Sequence, residues 1–178
     1  CSPSGLTATL TFERFASLAD EHLLCLRCTV VPEFDGSVEI RAALNSNVDN
    51  QGIHHWFWID QGLHPGTDPG QEVVFLRTRT RATEIELALG MRIEAHGVKP
   101  QSSFWDAQGV PTLSVIFPAE QGKAISLDRF VGIATSRDTA DPLARAVEHV
   151  NGVQGWEMAV DAHRQAWTQE WERSDVQI

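Results

Sequence analysis

From Leu6 to Thr135 apolar residues recur at every second position in run after run, and each run stops at a cluster of Pro, Gly, Asp or Asn. That period sends alternate side chains to opposite faces of an extended backbone, so the pattern demands sheets. LTATLTFERF places Leu6, Ala8, Leu10 and Phe12 on one face. Leu23 to Val31 is apolar and β-branched enough for burial on both faces, and Pro32 ends it. Asp35-Gly36 is a hairpin signal, which predicts that this strand and the run Ser37 to Leu44 are antiparallel neighbours. Further runs cover Glu72 to Thr80, Ile85 to Ala95, Thr112 to Phe117 and Ala124 to Thr135. In the second of these, Ile85, Leu87, Leu89, Met91, Ile93 and Ala95 share one side, and Glu84, Glu86, Ala88, Gly90, Arg92 and Glu94 predict a wet face opposite. His96 to Pro111 reads as a long loop or a hairpin with a short arm. Seven or eight strands with no helical period between them give a mainly β fold, an antiparallel β-sandwich.

The period changes at Asp138. Asp141-Pro142 supplies an N-cap and a first-turn proline; Leu143, Ala146, Val147 and Val150 follow at helical spacing, and Asn151-Gly152 stops the turn. A second helix is predicted from about Trp156 to Glu172, with Trp156, Val160, His163, Trp167 and Glu170 or Trp171 along one side. The chain therefore divides into a sandwich domain, 1–137, and a helical segment, 138–178. The indoles of the last helix call for a partner surface, and His163 reads as a packed, hydrogen-bonded histidine.

With 14 Lys+Arg scattered among 24 Asp+Glu and a net charge of −10, nucleic acid and anionic membrane are poor partners. No apolar run approaches the length of a membrane span, and no leader pattern is present. A first residue Cys1 points to a piece of a longer polypeptide, and an odd cysteine count favours a reducing compartment, the cytoplasm. Cys25 and Cys28 form CLRC, but a two-residue period sends them to opposite faces, and no second Cys/His pair completes a zinc site.

Asn45 to Gly62 (NSNVDNQGIHHWFWIDQG) concentrates two tryptophans, a phenylalanine, two histidines, three asparagines and two aspartates. Flat rings beside amides and carboxylates suit a sugar, whose C–H face packs on the ring while the polar groups bond its hydroxyls. The same alternation of Trp56 and Trp58 with Phe57 and Ile59 also suits strand packing. Arg77, Arg79 and Arg81 share a face that either clamps an anion or pairs with Glu84 and Glu86; ion pairing is the cheaper account. Asp49 and Asp60 bracket the loop, as an epimerase or glycosidase acid–base pair would, and also as turn residues do. Gly-rich phosphate loops, GxSxG, HExxH and calcium-loop patterns are missing, so no cofactor is expected.

FERFASLADEHLLCLRCTVVP, NVDNQG, FLRTRTRATEIELALGMRIEAHG, FVGIATSRDTADPLARAVEHV and HRQAWTQEWERSDVQI together, in this order, resemble the N-terminal region of glycoside hydrolase family 65, which includes maltose, trehalose and kojibiose phosphorylases. The resemblance implies part of a galactose-mutarotase-like supersandwich, with some of its strands missing, and helices leading into an (α/α)6 barrel that carries the chemistry. There a glutamic acid protonates the glycosidic oxygen of an α-linked disaccharide, and inorganic phosphate as co-substrate, or water, attacks with inversion. No catalytic residue maps onto this chain, which is expected to be inactive alone. What the resemblance does offer is a sandwich loop at the barrel mouth, and Asn50, His54, His55, Trp56 and Trp58 are the substrate-contact candidates. The partner it implies is the chain's own barrel, with a homodimer as a further partner to test. An autonomous carbohydrate-binding sandwich, with Trp56, Trp58 and Trp105 as its platform, is the alternative.

Overall fold

The computed structural model describes residues 5–66 and 72–174; Cys1, the middle of the Pro/Gly-rich stretch (67–71) and the last four residues of the closing motif (175–178) lie outside them. Eleven strands precede two helices in the described residues: β1 Ala8–Ala16, β2 Leu23–Pro32, β3 Gly36–Ala43, β4 Asp49–Asn50, β5 Ile53–His54, β6 Trp56–His64, β7 Val73–Thr80, β8 Glu86–His96, β9 Gln101–Ala107, β10 Val110–Ala119, β11 Ile125–Thr135, α1 Pro142–Gly152 and α2 Trp156–Ser174. A six-stranded sheet runs β1-β2-β11-β8-β7-β6, a three-stranded sheet β3-β10-β9 faces it, and β4-β5 is a separate small hairpin. Every pairing is antiparallel, as the alternation predicted for a sandwich.

The core lies between the sheets. Val74, Leu76, Met91 and Val131 of the large sheet meet Ala42 and Leu44, with Phe104 and Leu113 packed alongside. Ile125 and Leu127 meet Val115 and Phe117 beside them. These are the inward halves of the alternating runs, and their burial supplies most of the drive to fold.

The sequence reading differs from the structure in the Asn45 to Gly62 stretch, where the expected loop holds β4, β5 and most of β6 and the strands number eleven among the described residues instead of seven or eight, and at three further places. β2 and β3 are not neighbours: β2 pairs with β1 and β11, while β3 pairs with β10 in the other sheet. A two-residue hairpin turn of type I′ needs φ > 0 at its glycine, and Gly36 is not in that region; Asp35 instead accepts a hydrogen bond from the Gln121 N–H, at a corner where the chain changes sheets. Second, the face of β8 expected to be wet is covered, with Ala88 and Arg92 buried. α1 lies across it: Gly90 and Gly132 are paired and leave a saddle for the helix, and Ala88 and Ala134 pack against Ala146. Third, 96–111 resolves into β9 and a tight turn into β10, the hairpin option. Cys25 and Cys28 do face opposite ways, as free buried thiols.

α1 starts where predicted, with the Asp141 carboxylate accepting from the Ala144 N–H at 3.0 Å. His149 on α1 donates to the Asp20 carboxylate at 2.7 Å, and Arg92 donates to the Val153 carbonyl at 2.9 Å, so the helix end is tied to the β1–β2 loop and to β8.

Candidate functional site

The Asn45 to Gly62 stretch leaves β3 under the control of the β9–β10 turn. Ser46 N–H donates to the Gly109 carbonyl at 2.8 Å, and the Asn47 amide donates to the Gln108 carbonyl at 3.3 Å. Gly109 sits at φ 74°, and a Cβ there would lie 2.7 Å from Asn47 Oδ1, so only glycine lets the two segments meet. The chain then turns out as the β4-β5 hairpin. Gln51 and Gly52 both have positive φ, 55° and 83°, and Asp49 Oδ1 accepts from the Gly52 N–H.

Asn50 and His54 stand exposed on this hairpin and His55 just after it, and among the described residues no side-chain hydrogen bond reaches them. The structure does not gather them into a pocket with one another. Trp56 and Trp58 belong to β6, the edge of the large sheet, and share its inward side; Trp56 is half-buried and Trp58 is 42% exposed.

Trp58 lines a shallow cleft with Asp60, Gln61, Asp106 and Gln108, at the open edges of β6 and β9. Gln61 holds it together: its Oε1 accepts from the Trp58 indole N–H at 2.9 Å and from the Gly109 N–H at 2.6 Å, and its amide donates to Asp106 Oδ1 at 2.6 Å. Asp60 pairs with Arg77 at 3.1 Å across a register shift between Trp58 and Asp60, and its other oxygen is buried without a partner among the described residues. Arg77 also pairs with Glu86 at 2.7 Å, and chiefly that hydrogen bond lifts the guanidinium above its usual range. The ion-pair account of the arginine face thus holds at Arg77, while Arg81 lies over the Phe57 ring. Asp49 and Asp60 have the bland roles of turn and ion-pair residues.

Sequence reading missed Gln61, Asp106 and Gln108. Gln61 and Asp106 are 45 positions apart, and nothing in the local pattern of either announces the contact. Trp105 does not line this cleft: it lies on β9 beside Phe104, which packs in the core, and Arg41 covers its ring at 4.6 Å.

One cluster has metal-ligand chemistry, since Glu94, His96 and Asp128 bring their donor atoms within 4.8 Å of one another. Its charges are already answered. Asp128, fully buried, accepts from Arg27 Nε and Nη2 at 2.6 and 2.8 Å and from His96 at 2.6 Å, and Arg92 pairs with Glu94 at 3.0 Å. Arg27 also bonds Glu157 and lies over Trp156, so this lattice fastens the start of α2 to the sheet; the Asp128 bond chiefly raises the guanidinium pKa.

Trp156 is buried against Phe15 and Phe130, Ala159 and Val160 pack on the same cluster, and past His163 the described side chains of α2 bond only within the helix. His163 accepts from the Leu18 N–H and packs on Phe15, as a structural histidine. Trp167 and Trp171 stack on each other 44% and 63% exposed.

Residues 1–170 match the family described as glycosyl hydrolase family 65, N-terminal domain. The chain belongs to that family. It is 25% identical over 191 residues to kojibiose phosphorylase of Halothermothrix orenii, covering 99% of this chain and 24% of that protein. It is also 24% identical over 175 residues to 1,2-alpha-glucosylglycerol phosphorylase of Bacillus selenitireducens, covering 98% of this chain and 22% of that one. A solved structure titled putative kojibiose phosphorylase from human microbiome superposes with a TM-score of 0.76 at 14% identity, over 94% of this chain and 22% of that one. That likeness establishes the fold. This family 65 N-terminal domain thus spans about a quarter or less of the relatives it matches. No helix among its described residues is long and apolar enough to cross a membrane.

Proposed function

We propose that this domain is the non-catalytic sandwich and linker of an α-glucoside phosphorylase or hydrolase, bracing a catalytic barrel and lending the Asn45 to Gly62 loop to its pocket rim. The observation that carries this reading is the exposed, stacked Trp167–Trp171 pair, past the last side-chain bond that α2 makes to the sandwich among the described residues. Two indoles held in water lose the apolar burial that such rings supply, and a body packed on the helix restores it. The β4-β5 hairpin fits the same account, since Asn50, His54 and His55 offer amide and imidazole groups to sugar hydroxyls from a projecting turn. The barrel supplies the general acid, the substrate is an α-linked disaccharide, and phosphate is the attacking co-substrate in the phosphorylase case.

The test compares residues 1–178 with the longer polypeptide. Titration of the isolated chain with kojibiose or maltose is expected to show no binding and no turnover. Asn50→Ala, His54→Ala and His55→Ala in the longer protein are expected to raise KM with the fold unchanged. Micromolar glycan binding by the isolated chain would favour the autonomous binding module and overturn the brace.

A further inference from the structure

The loop between β1 and β2 satisfies several of its amides by itself: Ser17 N–H donates to the Leu23 carbonyl, Asp20 N–H to Ser17 Oγ and His22 N–H to Asp20 Oδ1. Leu18 is different, because its N–H donates to His163 Nδ1 on α2 at 3.1 Å. The other ring nitrogen of His163, Nε2, faces the Trp167 indole N–H, also at 3.1 Å. Both nitrogens of one imidazole are thus aimed at N–H donors, and Phe15 of β1 packs on the ring with 4.7 Å between centroids.

The proton count of the ring decides these contacts. A neutral imidazole has one acceptor nitrogen, so one tautomer accepts from Leu18 and the other from Trp167. An imidazolium has none, and each of its N–H groups then opposes another N–H. No carboxylate among the described residues lies within ion-pair reach of the ring to hold a charged form in place. Of the charged groups on the elements around it, Asp20 is taken by His149, Glu157 by Arg27 and Asp161 by Arg164. Glu21 is exposed, as is Glu13 on the same face of β1 as Phe15, and Arg14 lies on the opposite face.

We propose that His163 is a pH-sensitive latch that fixes the course of α2: the neutral ring holds the helix to Leu18, and a proton on the ring releases it. The first turns stay seated in either state, through Trp156, Ala159 and Val160 on the cluster with Phe15 and Phe130. Past His163 the helix carries the exposed Trp167 and Trp171, so release redirects that indole pair relative to the sandwich. The neighbouring histidines respond differently. His149 on α1 donates to Asp20 through Nδ1, and His22, with its ring 4.7 Å from that of His149, donates to the Ile133 carbonyl. A proton on the second nitrogen of either ring leaves its bond in place. Acid therefore frees the outer part of α2 from the loop while α1 stays tied to it.

An NMR titration of the 178-residue chain tests it. Between about pH 8 and pH 5, where an imidazole ordinarily gains its proton, the His163 ring, the Leu18 amide and the amides of 164–174 are expected to shift with one common midpoint. Leu18 exchange, corrected for its intrinsic pH dependence, should rise about 10-fold across that midpoint, and residual dipolar couplings of 164–174 should change relative to the sandwich. His163→Gln keeps an acceptor oxygen and gains no proton, so it should abolish the step with the latch closed in acid. His163→Leu should leave Leu18 unprotected throughout. Four results overturn the proposal: a ring that stays neutral across the range, a ring that titrates without moving Leu18, a step that survives in His163→Gln, or loss of Leu18 protection together with β8 and β11, which is global acid unfolding. The latch needs no second body, so its failure and that of the brace are read separately.

Discussion

Gly132→Ala is the sharpest test of how the helices are seated. A Cβ at Gly132 would lie 2.1 Å from the Ala146 carbonyl oxygen and 3.0 Å from both the Ala146 carbonyl carbon and Val150 Cγ2. The nearest obstacle is helix backbone, which no rotamer change moves aside. Relief from 2.1 Å to an ordinary contact, about 3.5 Å between heavy atoms, requires about 1.4 Å of separation, so that α1 lifts by roughly 1 Å once the sheet yields a few tenths. A gap of that size forfeits about a quarter to a half of the dispersion contact along the helix, where Val147 and Val150 meet Val73 and Ala146 meets Ala88 and Ala134. Full burial of such a valine contributes about 1.5–3 kcal/mol, and overpacking alone costs about 1–3 kcal/mol. Together these put the loss at about 2–4 kcal/mol, or about 5–15 °C in Tm for a chain of this size. Urea unfolding followed by circular dichroism should show a lower midpoint at an unchanged slope. Gly90→Ala is the control: its Cβ would meet Val73 and Ala146 at 3.3–3.4 Å, and a cost of about 1 kcal/mol or less is expected. A Gly132→Ala protein within about 0.5 kcal/mol of wild type would refute the saddle.

Three further outcomes follow from the same geometry. Burial pushes the Cys25 thiol from 9.0 up to about 12, and it also raises Cys28, so neither should react with a thiol reagent at pH 8 in the native state. Because the folded value lies above the unfolded one, the Cys25 contribution is complete below pH 9 and is lost towards pH 12; denaturant midpoints in wild type and Cys25→Ala should converge over that window. Asp128→Ala removes the buried carboxylate that answers Arg27 and His96 and is expected to cost about 3–5 kcal/mol, read as a lowered Tm; a change under 1 kcal/mol would mean that Glu157 alone satisfies Arg27. Trp167→Ala with Trp171→Ala should alter the stability of the isolated chain by less than about 1 kcal/mol and blue-shift its tryptophan emission, since the two indoles are largely exposed and the one bond lost is that from the Trp167 N–H to His163.

Local pattern alone dictated the long alternating strands outside the Asn45 to Gly62 stretch, the change of period at Asp138, the Asp141 cap and the opposite orientations of Cys25 and Cys28, while β4, β5 and β6 lie where a loop was expected. These depend on side-chain alternation and local backbone chemistry, which act within a few residues. Strand order was not legible: the Asp35-Gly36 turn looks the same on paper whether it closes a hairpin or passes the chain to another sheet. The β8 face of Glu86, Ala88, Gly90, Arg92 and Glu94 looked wet for a similar reason, because the helix that covers it comes some fifty positions later. For the candidate site, the stretch was visible as composition, but the Gln61 bridge to Asp106 and the projection of Asn50, His54 and His55 came from tertiary contact alone. Long-range pairing decides which edge is covered, which charge is answered and which ring stays in water, and it depends on the packing of distant segments that no local window contains.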